Sequence, residues 1–292
     1  MIVSIDSLEQ LQRLINAEDV VYFRLTGGLG NQLFGLSEAH QIHLNTNKRI
    51  IIDLGAIEHT LNKRPDWLNW ATTQKWMKLI QVPLKISSNL QLVNIGSTDV
   101  QIDFSTQSLF TGWQFSTARV RNSGLFKEGQ FPFGGDLAEK HRTALHFRVG
   151  DYVTSKGIGV LDFEYFDKAM EIIGKEKSTT VFSDDNFAAD VLVQKLNLKN
   201  AEISTETSPL GILSQIARSK YIVASNSTLS WWGIYFSKAE EIVCPKPFYL
   251  QEWNFDKEAK FSNVVYLHRF KNKFQWVLTW LLWRIRSIHF RH

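Results

Sequence analysis

The sequence alternates between short apolar runs rich in β-branched and aromatic residues and longer stretches whose apolar residues recur every three or four positions. Runs of the first kind predict strands at 20–26, 49–54, 143–149, 179–184, 221–225 and 241–245. Stretches of the second kind predict helices at 8–17, 31–45, 162–173, 186–196, 212–219 and 229–236. Because strands and helices alternate, the pattern predicts parallel sheets covered by helices, which is the α/β class.

The middle of the chain, 55–130, mixes aromatic and polar residues without a sustained period. It predicts a helix at 73–80, a strand at 90–95 and loops elsewhere. The turn-rich segment FPFGGD, 131–136, is expected to lead into a second α/β unit. The predicted domains are therefore 1–135 and 136–268, followed by a tail at 269–292.

Composition and charge narrow the class of protein. The chain has 292 residues, of which 44% are hydrophobic and 21% charged, as in an ordinary globular protein. A lone cysteine, Cys244, excludes an internal disulfide and a multi-cysteine metal site. The net charge is +4, but six basic residues and no acidic one lie between Arg269 and His292, so the rest of the chain is slightly acidic. No nucleic-acid partner is expected, because a protein that binds nucleic acid would carry a basic stripe outside this C-terminal segment as well.

The two ends of the chain bear on its location. The N-terminal segment has no basic region, and Asp6 and Glu9 interrupt it before an apolar run develops, so neither a signal peptide nor a membrane span is expected there. Drawn as a helix, 274–288 groups its aliphatic residues on one arc and three tryptophans on a second. Tryptophan with flanking basic residues favours a membrane-surface helix, although packing on the body or on a partner subunit is an alternative. The protein is expected in the cytoplasm, peripheral to a membrane through 270–292.

A glycine-rich segment, GGLGNQ at 27–32, stands where a predicted strand passes into a helix. Glycines let the backbone approach a ligand closely, and the N–H groups at a helix start favour an anion. A tight strand-to-helix turn explains the glycines equally well. Leu33 occupies the third-glycine position of a GxGxxG motif and no GK[ST] follows, so neither a standard dinucleotide site nor a P-loop is predicted.

A second motif, HFRVGDY at 146–152, ends a predicted strand. His146 and Arg148 share one face of that strand, and the chain turns at Gly150. Ligands of open α/β sheets bind at the carboxyl ends of strands, where a guanidinium can hold two phosphate oxygens. A buried Arg–Asp pair is the structural alternative.

Two further motifs follow later strands. In FSDD, 182–185, the adjacent carboxylates of Asp184 and Asp185 can accept hydrogen bonds from a ribose or a base, and Asp185 can equally cap the next helix. In SNSTLSWWG, 225–233, Ser227 and Thr228 stand at a helix start that can cradle a phosphate. The alternative there is a plain N-cap, with both tryptophans in the core.

In this order and at these separations, the four motifs resemble those of the α-1,2-fucosyltransferases of glycosyltransferase family 11. The resemblance implies a GT-B type fold, in which two Rossmann-like domains face each other across a cleft, with 1–135 on the acceptor side and 136–268 binding the nucleotide sugar. It also implies an inverting transfer of fucose from GDP-fucose to a galactose hydroxyl of a surface glycan such as an O-antigen. Neither a metal nor a cofactor is expected. In the bacterial setting that the family implies, a lipid-linked acceptor would lie on the cytoplasmic face of the inner membrane.

The family pattern also assigns roles to individual residues. Arg148 would hold the donor diphosphate, His146 would lie near the nucleotide, and Asp184 or Asp185 would contact the ribose. Ser227 and Thr228 would contact phosphate. The predicted donor-binding set is completed by Gly28, Gly30, Asn31, Gln32 and Asn226.

The chain departs from the family at one position, because Val149 stands where a second consecutive arginine is usual. Arg24, Arg119 or Lys156 are candidates to replace that charge. Another nucleotide sugar on the same fold is therefore an alternative donor, and a non-catalytic nucleotide-sugar or glycan-binding protein is an alternative function. Inverting transfer calls for a base to accept the acceptor proton, and Asp151 is the candidate. Alternatively, Asp151 has a structural role, paired with an arginine or with the backbone of a turn.

Overall fold

The computed structural model divides between Gly135 and Asp136 into two compact units, with the short segment Ser208–Leu210 grouping with the first. It describes 27–48, 117–133, 142–153, 155, 157–249, 261 and 263–269 in full. For six further strand segments it describes the backbone: 2–5, 20–24, 49–53, 90–95, 110–111 and 140–141. None of the helices in these ranges combines the length and the apolar character needed to cross a bilayer.

The first unit contains a five-stranded sheet in the order β1-β4-β3-β2-β5, and every pair of neighbours is parallel. Its strands are β1 Ile2–Ile5, β2 Val20–Arg24, β3 Arg49–Asp53, β4 Leu90–Ile95 and β5 Phe110–Thr111. Helix α1, Leu29–Thr46, connects β2 with β3 and packs against α2, Thr117–Ser123. Residue Asn47 ends α1 in the left-handed conformation, a position that asparagine tolerates.

The second unit contains a six-stranded parallel sheet in the order β11-β10-β9-β6-β7-β8. Its strands are β6 Lys140–Phe147, β7 Thr179–Ser183, β8 Ala201–Ile203, β9 Ser219–Val223, β10 Glu241–Lys246 and β11 Val264–His268. Its helices are α3 Phe163–Ile173, α4 Asn186–Leu196, α6 Thr228–Phe236 and, apart from its first two residues, α5 Pro209–Ala217, and a 3₁₀ turn spans Gly150–Val153. Counted within the unit, the strand order is that of the Rossmann fold, and it reverses direction between β6 and β9.

Three helices of the second unit begin at side-chain caps. Asp162, Asp185 and Ser227 accept hydrogen bonds from the backbone N–H of Tyr165, Ala188 and Leu229. Helix α6 is buried along almost its whole length, and its two tryptophans, Trp231 and Trp232, lie in the core as the sequence allows. Because Asp185 and Ser227 follow β7 and β9 closely, helices α4 and α6 begin near the carboxyl edge of the sheet.

The two parallel sheets confirm the predicted α/β class with two Rossmann-like units. The facing of the two domains across a cleft remains a prediction. Strands β1, β5, β8 and β11 and helix α2, which lies in a stretch predicted as loop, were not predicted. The predicted helices at 8–17 and 73–80 and the tail segment 270–292 lie outside the described residues.

One residue of the predicted tail needs a correction. Arg269, grouped by its charge with the basic tail, is buried and belongs to the body of the second unit. Its guanidinium donates to the carbonyl oxygens of Phe248, Ile158 and Gly159 at 3.0, 2.8 and 3.0 Å. Counting charge along the sequence could not show that this arginine is buried.

Candidate functional site

The switch point of the second sheet brings two of the sequence motifs together. Strands β6 and β9 are neighbours in parallel register, with Leu145 opposite Val223. Arg148 follows β6 and Thr228 follows β9, so both lie at the same edge of the sheet. In open α/β sheets this reversal leaves a crevice in which ligands bind.

Arg148 divides its guanidinium between two carboxylates at this edge. Its Nη2 donates to Oδ1 of Asp151 at 2.8 Å, and its Nη1 lies 2.9 Å from Oδ2 of Asp184. Asp151 comes from the 3₁₀ turn after β6, whereas Asp184 comes from the end of β7. The structure thus contains the Arg–Asp pairing that the sequence left open, with the cation still at the carboxyl edge.

Asp184 is held more firmly than Asp151. Its Oδ1 accepts the backbone N–H of Val149 at 2.8 Å, and the residue is largely buried. Burial raises the pKa of Asp184, while the Arg148 charge and the Val149 hydrogen bond oppose that shift. Val149 itself is buried in the hydrophobic core of the unit. The side chain in the usual second-arginine position therefore faces away from the site.

Of the three candidates to replace that missing charge, the structure describes the side chain of Arg119. In the first unit, Arg119 pairs with the buried carboxylate of Glu38. The side chains of Arg24 and Lys156 lie outside the described residues. Within the described part of the second unit, Arg148 is the arginine that follows β6.

Tyr152 links Arg148 to the start of α6. The guanidinium carbon of Arg148 lies 5.3 Å from the centroid of the Tyr152 ring, a cation–π distance. The phenol also hydrogen-bonds with the side chain of Ser227, the N-cap of α6. Burial is the largest influence on this group and raises the pKa of Tyr152 to about 12, so the phenol is neutral at physiological pH. Tyr152 belongs to the sequence motif at 146–152, but the motif by itself did not indicate a role for it.

His146 lies buried on β6, two residues before Arg148 on the same face. Its Nδ1 is 2.7 Å from the hydroxyl oxygen of Ser230 on α6. Burial, with a smaller contribution from the Arg148 charge, lowers the pKa of His146 to about 3. The imidazole is therefore neutral, and it ties β6 to α6 across the switch point.

The segment that leads into α6 is also built from hydrogen bonds. The amide Nδ2 of Asn226, which is fully buried, donates to the carbonyl oxygens of Ile158 and Gly159 at 3.2 and 2.8 Å. In the structure this predicted donor-binding side chain thus holds a neighbouring loop. Asp185 caps α4, the alternative that the sequence allowed for it.

The glycine-rich loop belongs to the first unit, where it forms the start of α1. Gly27 has a φ of +75°, a conformation that favours glycine, and a Cβ there would crowd the Asn31 side chain. Gln32 is buried and donates from Nε2 to the Gly27 carbonyl at 2.7 Å. A Cβ on Gly28 would meet no atom within 4 Å. The loop is therefore a tight turn that leaves room beside Gly28, while Gly30 is buried within the helix.

Among the described residues, no group of three or more His, Cys, Asp or Glu side chains is placed to hold a metal ion. The arrangement offers instead a guanidinium, a neutral imidazole, a phenol and a helix start at one edge of a doubly wound sheet. These groups suit a phosphorylated ligand, because each can stabilise negative charge or donate a hydrogen bond. The roles predicted for the individual donor-binding residues remain predictions.

A doubly wound parallel unit with an arginine and a capped helix at its switch point is typical of nucleotide-binding α/β domains. Residues 121–268, just over half of the chain, match Glycosyl transferase family 11. The chain belongs to that family, and it is accordingly a glycosyltransferase.

Two characterised relatives are similar to the chain. The O-antigen biosynthesis glycosyltransferase WbnK of Escherichia coli is 33% identical over 116 residues, 36% of this chain and 37% of that protein. The match thus spans little more than a third of that relative. An alpha-1,2-colitosyltransferase of Escherichia coli is 24% identical over 280 residues, 80% of this chain and 93% of that one.

The solved structures that are similar to the chain have lower sequence identity. The E. coli heptosyltransferase WaaC with ADP has a TM-score of 0.44 at 11% identity, covering 85% of this chain and 93% of that one. The fucosyltransferase NodZ from Bradyrhizobium has a TM-score of 0.40 at 10% identity, covering 76% and 93%.

Proposed function

We propose that the protein is an inverting, metal-independent α-1,2-fucosyltransferase that moves fucose from GDP-fucose to a galactose hydroxyl of a surface glycan such as an O-antigen. Family membership supports the glycosyl transfer, and the name of one relative supports an O-antigen acceptor. The observation that carries the proposal is the meeting of Arg148 and the start of α6 at the switch point between β6 and β9.

The chemistry of the reaction explains why such a site is needed. As the glycosidic bond to the diphosphate breaks, negative charge develops on the leaving group. A preorganised donor aimed at that charge is worth on the order of 3 kcal/mol in the transition state. Arg148 and the N–H groups at the start of α6 are donors of this kind, and they stand in for a divalent ion.

The pairing of Arg148 suggests how the donor enters the site. A diphosphate reaching Arg148 would displace the more exposed carboxylate, that of Asp151, while Asp184 remains tied to the Val149 N–H. Displaced from Arg148, Asp151 would be available to accept the proton of the acceptor hydroxyl. Donor binding would thus both seat the leaving group and supply the base.

A second donor is favoured by a specific comparison. The relative matched over 80% of this chain is a colitosyltransferase, and colitose is fucose without its 3-hydroxyl group. Transfer of colitose by the same inverting, α-1,2 route is therefore the second candidate function. The two candidates differ only in the sugar, so a donor comparison separates them.

The test is a donor series measured in the presence of EDTA. Calorimetry with GDP-fucose, GDP-colitose, GDP-mannose and UDP-galactose gives the order of affinities, and product NMR gives the linkage and the anomeric configuration. We expect the strongest binding for GDP-fucose and an α-1,2 product on a galactoside. Tighter binding of GDP-colitose would favour the second candidate, whereas preference for UDP-galactose or loss of transfer in EDTA would contradict the proposal.

A further inference from the structure

Ser230 and His146 form a buried contact that joins two elements of the site. Ser230 lies in the first turn of α6 and is fully buried, while His146 lies on β6, 84 residues earlier. The Ser230 hydroxyl oxygen is 2.7 Å from Nδ1 of His146. The same oxygen accepts the backbone N–H of Ser225 at 3.1 Å, just after β9.

These two contacts determine where the hydroxyl proton lies. The Ser225 N–H uses one lone pair of the Ser230 oxygen, which leaves the hydroxyl one further lone pair and its own proton for other contacts. Among the described residues, Nδ1 of His146 is the acceptor within hydrogen-bond distance of that hydroxyl. If Nδ1 carried a proton instead, two donors would converge on the oxygen and the buried hydroxyl proton would have no acceptor, which is costly.

We propose that Ser230 is a positioning residue that holds His146 as the neutral tautomer with its proton on Nε2, so that the ring donates a hydrogen bond to the bound nucleotide sugar. The nucleotide part of the inference rests on the proposed function. The hydroxyl of Ser230 accepts from the Ser225 N–H and donates to Nδ1, which leaves Nε2 as the protonated nitrogen. An acceptor atom on the base, ribose or phosphate is the matching ligand group.

This assignment gives His146 a defined chemical role. A neutral Nε2–H ring donates one directed hydrogen bond and adds no second positive charge beside Arg148. The low pKa of His146, caused mainly by burial, keeps the ring in this state through the physiological range. His146 is therefore a donor for recognition of the ligand rather than a proton acceptor in the transfer step.

The first test reads the tautomer directly in the full-length wild-type protein. Long-range ¹H–¹⁵N correlation spectra of histidine-labelled protein distinguish a protonated from an unprotonated ring nitrogen, and His146→Asn identifies the His146 signals. We expect Nε2 protonated and Nδ1 bare. A wild-type spectrum with the proton on Nδ1 overturns the assignment, and this measurement does not depend on any Ser230 variant folding.

The second test compares Ser230→Ala with Ser230→Thr, which keeps the hydroxyl, and with Ser237→Ala as a control at the far end of α6. Ser237 caps that end by donating to the Ile234 carbonyl. Ser230→Ala should mix the two tautomers and weaken GDP binding by about tenfold, the value of one hydrogen bond. Ser230→Thr should restore both properties, and Ser237→Ala should change neither.

The outcomes separate this role from the proposed function. An unchanged tautomer and unchanged GDP affinity in a folded Ser230→Ala protein overturn the positioning role, even if the enzyme transfers fucose. If Ser230 fixes the tautomer but neither GDP nor a GDP-sugar binds the wild type, the proposed donor is wrong. The nucleotide part of the inference is then wrong as well.

Discussion

Arg148 has two carboxylate partners that differ in burial, and this difference determines which one a ligand can replace. The Asp151 side chain is 39% exposed and that of Asp184 is 10% exposed. An exposed ion pair contributes little, whereas a buried carboxylate that also accepts a backbone N–H is costly to separate from its cation. An incoming diphosphate would therefore compete with Asp151 and leave the Arg148–Asp184 contact in place.

This asymmetry predicts the behaviour of Asp151→Asn. The asparagine oxygen can still accept from Arg148, and Asp184 keeps the guanidinium in position, so the affinity for GDP should stay within about threefold of the wild type. Loss of the carboxylate removes the proposed base, and kcat should fall by about 100-fold or more. Calorimetry with GDP and steady-state fucosyl transfer measure the two effects separately.

The matched control is Asp190→Asn, an exposed carboxylate on α4 whose loss should leave both quantities unchanged. Near-normal turnover in Asp151→Asn would exclude Asp151 as the base and leave it only as a partner of Arg148.

At the residue scale, the sequence indicates which residues stand at the ends of strands but not the contacts between their side chains. Arg148 and Asp184 both end predicted strands, and consecutive strands usually pair, so their presence at one edge could be expected. Their mutual ion pair depends on side-chain geometry that no local pattern specifies. The contact between His146 and Ser230 depends on β6 lying beside β9, which follows from the strand order and not from either motif.

Among the secondary-structure elements, helix α3 begins at a carboxylate whose surroundings disfavour its ionised form. Asp162 caps α3 by accepting the Tyr165 N–H at 2.8 Å. Burial is the dominant cause that raises the pKa of Asp162 to about 6 from 3.8, although the Tyr165 hydrogen bond and the charge of Arg269 act in the opposite direction. The folded state therefore binds this proton more tightly than the unfolded state does.

The sign of the pH effect follows from this raised pKa. The stabilisation by the protonated carboxyl is fully present below the unfolded pKa of 3.8 and is lost as the pH rises through about 6. Asp162→Asn keeps a good N-cap without the ionisable proton. Its free energy of unfolding should therefore lie closer to that of the wild type at about pH 4 than at about pH 7.5. At the higher pH the variant should be more stable by roughly 2 kcal/mol.

Urea unfolding of both proteins at the two pH values measures this difference. Glu171→Gln, an exposed change on the same helix, should shift the free energy of unfolding by less than about 0.5 kcal/mol at either pH. A difference between Asp162→Asn and the wild type that does not grow with pH would contradict the role assigned to burial.

The helices and strands also show which sequence signals are sufficient to predict an element. Helix α4 was predicted with its observed limits, because Asp185 marks its start and Asn197, in the left-handed conformation, ends it. Strand β8 has only three residues, too few to show a period. Strand β11, Val264–His268, carries β-branched and aromatic residues, so its signal was present, but it stands between a polar segment and the basic tail.

For the molecule as a whole, Arg269 is the last residue of the second unit that the structure describes. Arg269 and Asn226 both donate to the carbonyl oxygens of Ile158 and Gly159, so one residue from the β9–α6 segment and one from the end of β11 hold the same loop. The backbone N–H of Arg269 also donates to the Lys246 carbonyl at 3.2 Å, which continues the β10–β11 pairing. A truncation that spares this residue should leave these contacts intact.

Deleting 270–292 therefore tests the tail without removing Arg269. If the tryptophan-rich segment lies on the membrane surface, the shortened enzyme should no longer sediment with anionic lipid vesicles. It should keep its kcat on a soluble galactoside, because the described site lies within the remaining chain.

Deleting 269–292 instead also removes the buried guanidinium of Arg269, so the Phe248 carbonyl loses its donor. Compared with the 270–292 deletion, this truncation should lower the free energy of unfolding by about 3 kcal/mol more. Vesicle sedimentation, transfer assays and urea unfolding of the two truncations give these quantities. If the 270–292 deletion fails to fold while the full chain is stable, the segment packs on the body or on a partner subunit and the membrane-surface interpretation is wrong.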